Sequence, residues 1–246
     1  MHATRPVPPD ALALQVGGLT RFSSVDWPGR MVAVVFVQGC PWRCLYCHNA
    51  GLQPREPGAL DWAQIEAWLQ RRRGLLDGVV FSGGEPLLDA ALPAALARVR
   101  NLGFATGLHT AGIYPQRLAQ VLPLLDWVGL DLKAALDEAG SYARVTGVRA
   151  AHEPVLACLA LLREARRSAG LDYECRTTAD ADWLDEVELL RLAAQVAAAG
   201  VPRWALQQAR AGGQWSPSAG RPWGAAREEL LLALRRLVPE LILRRA

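Results

Sequence analysis

MVAVVFVQ (31–38) running into GCPWRCLYCHN (39–49) is the stretch on which the fold turns. Its first half is β-branched and apolar without alternation, the pattern of a strand buried on both faces. Its second half opens with Gly39 and carries Cys40, Cys44 and Cys47 within eight residues. A buried strand thus delivers sulfur at its C-terminal end, where parallel α/β folds build their sites.

Outward from that stretch the pattern repeats. GVVFSGG (78–84), FATGLHT (104–110), WVGLDLK (127–133), DYECRTT (172–178) and RWALQQ (203–208) read as five further strands. Helical segments are expected at 61–72, 90–102, 115–122, from about 138, at 152–169, at 183–199 and at 225–237. GGLTRFSSVDWPGR (17–30) reads as a loop with a short hairpin, and ELILRR (240–245) as a short apolar ending. Six strands separated by helices imply a parallel sheet with helical crossovers. Periodicity alone leaves open whether it curves into a partial barrel or lies flat and doubly wound.

Composition narrows the class. A chain of 246 residues, 51% hydrophobic, forms one large α/β domain or at most two small ones. A net charge of +3 gives no cause to expect nucleic acid or membrane as a partner. The N-terminal MHATRPVPPDALAL lacks the apolar run of a signal peptide, and the longest apolar stretches are too short to span a bilayer. A soluble, cytoplasmic protein is expected. Five cysteines are too sparse for a disulfide scaffold, and Cys158 and Cys175 read as core residues. Lys133 is the only lysine among 27 basic residues, a hint of a position needing a compact ammonium.

The chemistry gathers after the strands. Behind the cysteine loop come SGGEP, HTAG, DLK, RTT and QQ, each closing a strand. Three thiolates spaced C-x3-C-x2-C can ligate three irons of a 4Fe–4S cluster and leave the fourth open. Two other readings fit the same residues. CLYCH (44–48) matches the c-type haem attachment pattern, which needs an oxidising compartment and leaves Cys40 without a role. His48 could instead complete a Cys3His zinc site, although adjacent Cys47 and His48 seldom reach one ion.

Taken together, the cysteine loop with Tyr46 before its third cysteine, and GGEP (83–86) one strand later, resemble the radical S-adenosylmethionine (SAM) superfamily. SSVDWPG (23–29), HTAG (109–112), DLK (131–133), VTG (145–147) and RTT (176–178) extend the likeness to activating enzymes of glycyl radical enzymes. Within those it is most similar to the longer type that activates anaerobic ribonucleoside-triphosphate reductase. The resemblance implies a partial (β/α)6 barrel with parallel strands and outer helices, a single domain over 1–246. Residues 1–14 would be an arm, 15–209 the barrel core, and 210–246 a loop, helix and tail. It further implies one 4Fe–4S cluster and SAM, whose reductive cleavage yields a radical that takes a glycine α-hydrogen from a partner enzyme. The 35 residues between Cys47 and Gly83 hold no cysteine, so a second cluster insert is not expected.

By the same resemblance, Cys40, Cys44 and Cys47 are the cluster ligands and catalytic core. Tyr46 lies beside the adenine, and Gly83, Gly84 and Glu85 receive the methionyl ammonium. Thr110 and Asp131 shape the SAM pocket and a nearby cation site, while Lys133 and Arg176 meet the carboxylate and ribose. Asp26 and Gly29 help seat the partner. A flavodoxin or ferredoxin would donate the electron, with Arg43 attracting it, and the chain would act as a monomer. Two departures stand out: His109 replaces an acidic residue of pyruvate formate-lyase activators, and Gln207 and Gln208 replace a histidine. A small-molecule radical SAM enzyme, such as a 7-carboxy-7-deazaguanine synthase, is the competing reading. A metal-binding or electron-transfer module without enzymatic activity is the third.

Overall fold

The computed structural model describes residues 10–137, 139–179, 183–209 and 226–244. Its centre is one sheet of eight strands in sequence order: β1 (Val16–Ser23), β2 (Val32–Val37), β3 (Gly78–Gly83), β4 (Ala105–Thr110), β5 (Trp127–Asp131), β6 (Asp172–Ala179), β7 (Trp204–Gln208) and β8 (Leu241–Arg244). β1 runs antiparallel to β2, and every later pair is parallel. The helices are α1 (Trp62–Gln70), α2 (Leu92–Asn101), α3 (Pro115–Val121), α4 (Ala139–Thr146), α5 (His152–Ala169), α6 (Glu186–Ala198) and α7 (Ala226–Leu237). Local chemistry sets several of their ends. The Asp61 side chain caps α1 by accepting from Ala63 N at 2.8 Å, and Asp185 caps α6 through Glu188 N at the same distance. Gly170, at φ +69°, closes α5 in the left-handed conformation.

The six expected strands are β2 to β7. The two others are corrections at the edges. Residues read as loop and short hairpin form β1, whose Gly17 and Gly18 weaken the sequence signal for a strand. A Cβ on Gly17 would lie 2.3 Å from Leu52 Cδ2, so a larger residue there would push the Leu52 side chain aside. The short apolar ending forms β8, and its Arg244 makes a two-pronged bond to Glu174 on β6, at 2.7 and 2.8 Å. Glu174 is fully buried, so that pair fastens the last strand through a charge-assisted contact. The expected loop at 210–225 lies outside the described residues, as do residues 1–9 of the arm.

The two faces of the sheet bury different things. On β2, Ala33, Val35 and Val37 join the large core under the helices, whereas Val32 and Val34 belong to a small second cluster with Val80, Trp27 and Trp127. That second cluster fills the concave side. Trp27 enters from the β1–β2 connection and stacks on Trp127, with ring centroids 5.5 Å apart. The strands make room for it with glycine: a Cβ on Gly107 would sit 3.0 Å from the Trp27 ring, and one on Gly78 3.2 Å away. Gly107→Ala is therefore expected to overpack this cluster and lower stability by about 1–2 kcal/mol, read as a lower urea midpoint with an unchanged slope.

Candidate active site

The cysteine loop is shaped by backbone bonds to two neighbouring segments. After β2, Gly39 turns at φ +98°, and its amide donates to Leu52 O at 2.8 Å while that of Cys40 donates to Gln53 O at 3.0 Å. On the other side, Arg43 N and Leu45 N donate to Thr146 O and Val145 O, both at 3.0 Å. These two acceptors are carbonyls at the C-terminal end of α4, where helical partners run out. The VTG motif therefore docks the cysteine loop against the end of that helix. Arg43 braces the loop internally, donating from Nη1 to Cys40 O (2.8 Å) and Trp42 O (3.0 Å).

The glycine turn after β3 is strapped to the same loop. Gly84 N donates to Val37 O and Glu85 N to Gly39 O, each at 2.9 Å. Gly83 has φ +116°, and a Cβ on Gly84 would lie 2.3 Å from Gly39 O. Both positions need glycine, the first for its conformation and the second for close backbone approach.

Glu85 differs from expectation. It does not line the cavity; it is fully buried behind the turn. Its carboxylate accepts from Leu87 N (3.1 Å), Thr110 Oγ1 (2.8 Å) and Ala111 N (2.8 Å), tying the turn to the end of β4. Burial pushes its carboxyl up to about 7, even though these hydrogen bonds pull it down. The carboxylate thus serves as acceptor for the chain's own donors.

Eleven of the thirteen residues singled out from the sequence meet at one cavity of about 240 Å³. Cys40, Cys44, Cys47 and Tyr46 stand on one side; Gly83, Gly84 and Thr110 adjoin them. Asp131, Lys133 and Arg176 come from the ends of β5 and β6, and Asp26 from the β1–β2 connection. Gly29, the other exception beside Glu85, lies on the surface in the turn that carries Trp27 inward. There Arg30 N donates to Trp27 O at 3.1 Å, with Pro28 and then Gly29 at φ +74° between them, as a type II turn requires.

The charges of Asp131, Lys133 and Arg176 are paired. Asp131 Oδ1 accepts from Arg176 Nε (2.9 Å) and Nη2 (2.7 Å), and its Oδ2 from Lys133 Nζ at 3.4 Å. Burial alone would raise the Asp131 carboxyl, but Arg176 and Lys133 outweigh it and hold the carboxyl below its usual range. Lys133 Nζ also donates to Tyr46 OH at 3.3 Å, and the Tyr46 ring stacks on Trp183 with centroids 5.2 Å apart. The one lysine of the chain therefore touches the aromatic of the cysteine loop and the carboxylate of β5 together.

His109 is a buried neutral group that holds the floor of the cavity. Its Nε2 donates to Asp26 O at 2.8 Å, and Nδ1 lies 3.2 Å from Ser82 Oγ. Because Asp26 O can only accept, the proton sits on Nε2, and Nδ1 takes the Ser82 hydroxyl. Burial lowers its pKa well below 6.5. A histidine depressed in this way stabilises the fold above its unfolded pKa and loses that contribution as pH falls below about 6.5. In urea titrations, the stability advantage of the unmutated protein over His109→Asn should be about 1 kcal/mol greater at pH 7.5 than at pH 5.5.

The donor set bears on which metal group fits. Burial pushes the Cys40 thiol up to about 12 and raises Cys44 as well, so their thiolates need a positive partner in the cavity. Among the described residues no three His, Cys, Asp or Glu side chains converge on a point that could hold a single metal ion. His48 lies on the rim of the same cavity and is exposed. Thiolates that each bind a different iron of one cluster need no common point, so the three cysteines fit a 4Fe–4S group. Trp42, Gln53, Ser82, Thr178 and Gln207 are also on the wall. Of these, Trp42, Gln53 and Ser82 carry no signal in the sequence, because each is an ordinary residue type whose placement depends on the fold around it.

Comparisons with known proteins agree with this geometry. A Methanocaldococcus jannaschii protein described as a candidate glycyl-radical enzyme activating enzyme is 26% identical over 197 residues, covering 74% of this chain and 75% of its own length. The pyruvate formate-lyase-activating enzyme of Clostridium pasteurianum is 35% identical over 129 residues, covering 50% of this chain. The chain spans 53% of that relative's length, about half. A radical SAM methyltransferase of Sphaerobacter thermophilus shares the fold, with a TM-score of 0.69 at 17% identity, over 89% of this chain and 67% of its own. Among the described residues no helix is long and apolar enough to cross a membrane. The sequence pattern of the radical SAM superfamily, whose enzymes use a 4Fe–4S cluster and SAM, matches residues 34–172, and by that match over more than half its length the chain belongs to the radical SAM superfamily.

Proposed function

We propose that this chain activates a glycyl radical enzyme in a reducing cytoplasm, and that the partner is an anaerobic ribonucleoside-triphosphate reductase. A 4Fe–4S cluster and SAM would supply a 5′-deoxyadenosyl radical, able to take a hydrogen atom from a glycine α-carbon. The chain's own residues do the rest. Cys40, Cys44 and Cys47 hold the cluster. Gly83 and Gly84 offer bare backbone to the methionyl ammonium, with Glu85 stiffening the turn behind them. Lys133 and Arg176, already oriented by Asp131, meet the carboxylate and ribose of SAM, and Tyr46 lies beside the adenine. Thr110, fixed by Glu85, shapes the same pocket.

The observation that carries the reading is the DWPG loop. Trp27 anchors it inside the concave face, and His109 holds its backbone so that Asp26 looks into the cavity containing the cysteines. A loop fixed there offers a seat for an incoming glycine segment, with Gly29 at the surface turn where the partner would approach. The names of the two curated relatives support the same class of reaction. A reduced flavodoxin or ferredoxin is the proposed electron donor.

The test is anaerobic reconstitution, reduction, and addition of SAM with a co-expressed glycyl radical enzyme carried in the same genome. The expected result is 5′-deoxyadenosine together with a glycine-centred EPR signal on the partner. Cleavage of SAM with no radical on any such partner would overturn the proposal in favour of a small-molecule substrate.

A further inference from the structure

Gln53 is fixed by its backbone, not by its side chain. Its carbonyl accepts the amide of Cys40 at 3.0 Å, and the preceding carbonyl of Leu52 accepts that of Gly39 at 2.8 Å. Gln38 clamps the same turn from beneath, donating from Nε2 to Gly51 O at 3.1 Å and Pro54 O at 2.9 Å. This ladder and clamp hold Gln53 beside Cys40, with its side chain on the wall of the cysteine cavity.

The amide at the end of that side chain has no partner. Gln53 Nε2 is shut off from solvent and meets no acceptor among the described residues. A carboxamide nitrogen carries two hydrogens, and burying it without an acceptor is unfavourable. Three backbone acceptors of the cysteine loop are already engaged: Arg43 takes Cys40 O and Trp42 O, and Cys47 N takes Cys44 O. The space beside Gln53 is the cavity lined by Cys40, Cys44 and Cys47, the space a cluster would fill.

We infer that Gln53 donates a hydrogen bond from Nε2 to a sulfur at the Cys40 corner of the cluster held by Cys40, Cys44 and Cys47. The inference rests on the cluster reading proposed above and adds a tuning residue to it. A hydrogen bond to cluster sulfur favours the reduced, more negative state and so raises the reduction potential. Gln53 therefore makes the cluster easier to reduce.

The test compares the reconstituted protein with Gln53→Leu and Gln53→Glu. Iron and sulfide content is measured first, then the midpoint potential by EPR-monitored titration. Pulsed EPR of the reduced cluster with side-chain-¹⁵N glutamine follows. Both variants should keep a full complement of iron and titrate at a more negative potential than the unmutated protein, Gln53→Glu furthest because its carboxylate adds negative charge. A weak ¹⁵N coupling should be present in the unmutated protein and lost in Gln53→Leu. A loaded variant that titrates at the unmutated potential, or a coupling that is absent from the unmutated protein or survives in Gln53→Leu, overturns the inference. Failure of the cluster reading itself looks different: the unmutated protein would hold no iron before any potential is measured.

Discussion

Cys44→Ala is expected to leave a folded protein that no longer holds iron and no longer cleaves SAM. Cys44 is buried on the cavity wall, where the loop is fixed by the end of α4 through Arg43 and Leu45. None of those backbone bonds uses the sulfur, so removing it costs the loop little of its shape. It does remove one of three thiolates, and no other cysteine lines the cavity to replace it. Loss of a supporting group around a metal costs about 10–100-fold, so loss of a ligand should exceed ~100-fold in SAM cleavage. Iron analysis and product quantification read both effects. Cys175→Ala supplies the contrast, since that cysteine is fully buried on β6 away from the cavity, and its replacement should keep the iron. A full 4Fe–4S absorption spectrum in Cys44→Ala would refute the ligand assignment.

Glu85→Ala should be the most damaging substitution outside the cysteines, and its damage should be to stability as well as activity. The carboxylate is the common acceptor for Leu87 N, Thr110 Oγ1 and Ala111 N. Alanine leaves two buried amides and the proton of a buried hydroxyl without an acceptor, at about 1–3 kcal/mol for each such group. Part of that is offset because the desolvated charge disappears too, giving a net loss of about 3–5 kcal/mol. Glu85→Gln keeps one carbonyl oxygen and should lose only about 1–2 kcal/mol. Denaturant titrations of the apoprotein measure both. If Glu85→Ala were as stable as the unmutated protein, the bracing role would be wrong.

Much of the fold is legible in the sequence because it depends on local pattern. MVAVVFVQ announces a buried strand by composition alone, and three cysteines after it announce a site. The order of strands and the gathering of polar residues at their C-terminal ends then place Thr110, Asp131, Lys133 and Arg176 at a common face. What escapes depends on contacts distant in sequence. Gly17 and Gly18 read as loop because glycine weakens a strand signal, and nothing local shows that the Leu52 and Gln38 side chains pack where a Gly17 side chain would be. Glu85 looks free to bind an ammonium, because nothing local reveals that Thr110 and Ala111, 25 and 26 residues later, take its oxygens. Trp27 gives no sign that it enters the concave face, although Gly78 and Gly107 are the gaps it fills. VTG is recognisable as a motif, yet its docking of the cysteine loop emerges only when α4 is in place.

The charged part of the cavity wall has a simple electrostatic logic. Asp131 orients two cations without leaving a free carboxylate oxygen, so Lys133 and Arg176 present ordered donors into the cavity. His109, neutral and hydrogen-bonded on both nitrogens, adds no charge beside them. An anionic group entering the cavity meets donors already in position and avoids most of the reorganisation that mobile side chains would require.

What the cysteine cavity does to SAM decides between these readings. After anaerobic reconstitution and chemical reduction, the protein is incubated with SAM, and 5′-deoxyadenosine and methionine are quantified together. Both products are expected in equal amounts, formed only when reductant is present and absent from Cys44→Ala. A protein carrying its full complement of iron that leaves SAM intact under those conditions would contradict the assignment of this cavity as a SAM-cleaving site.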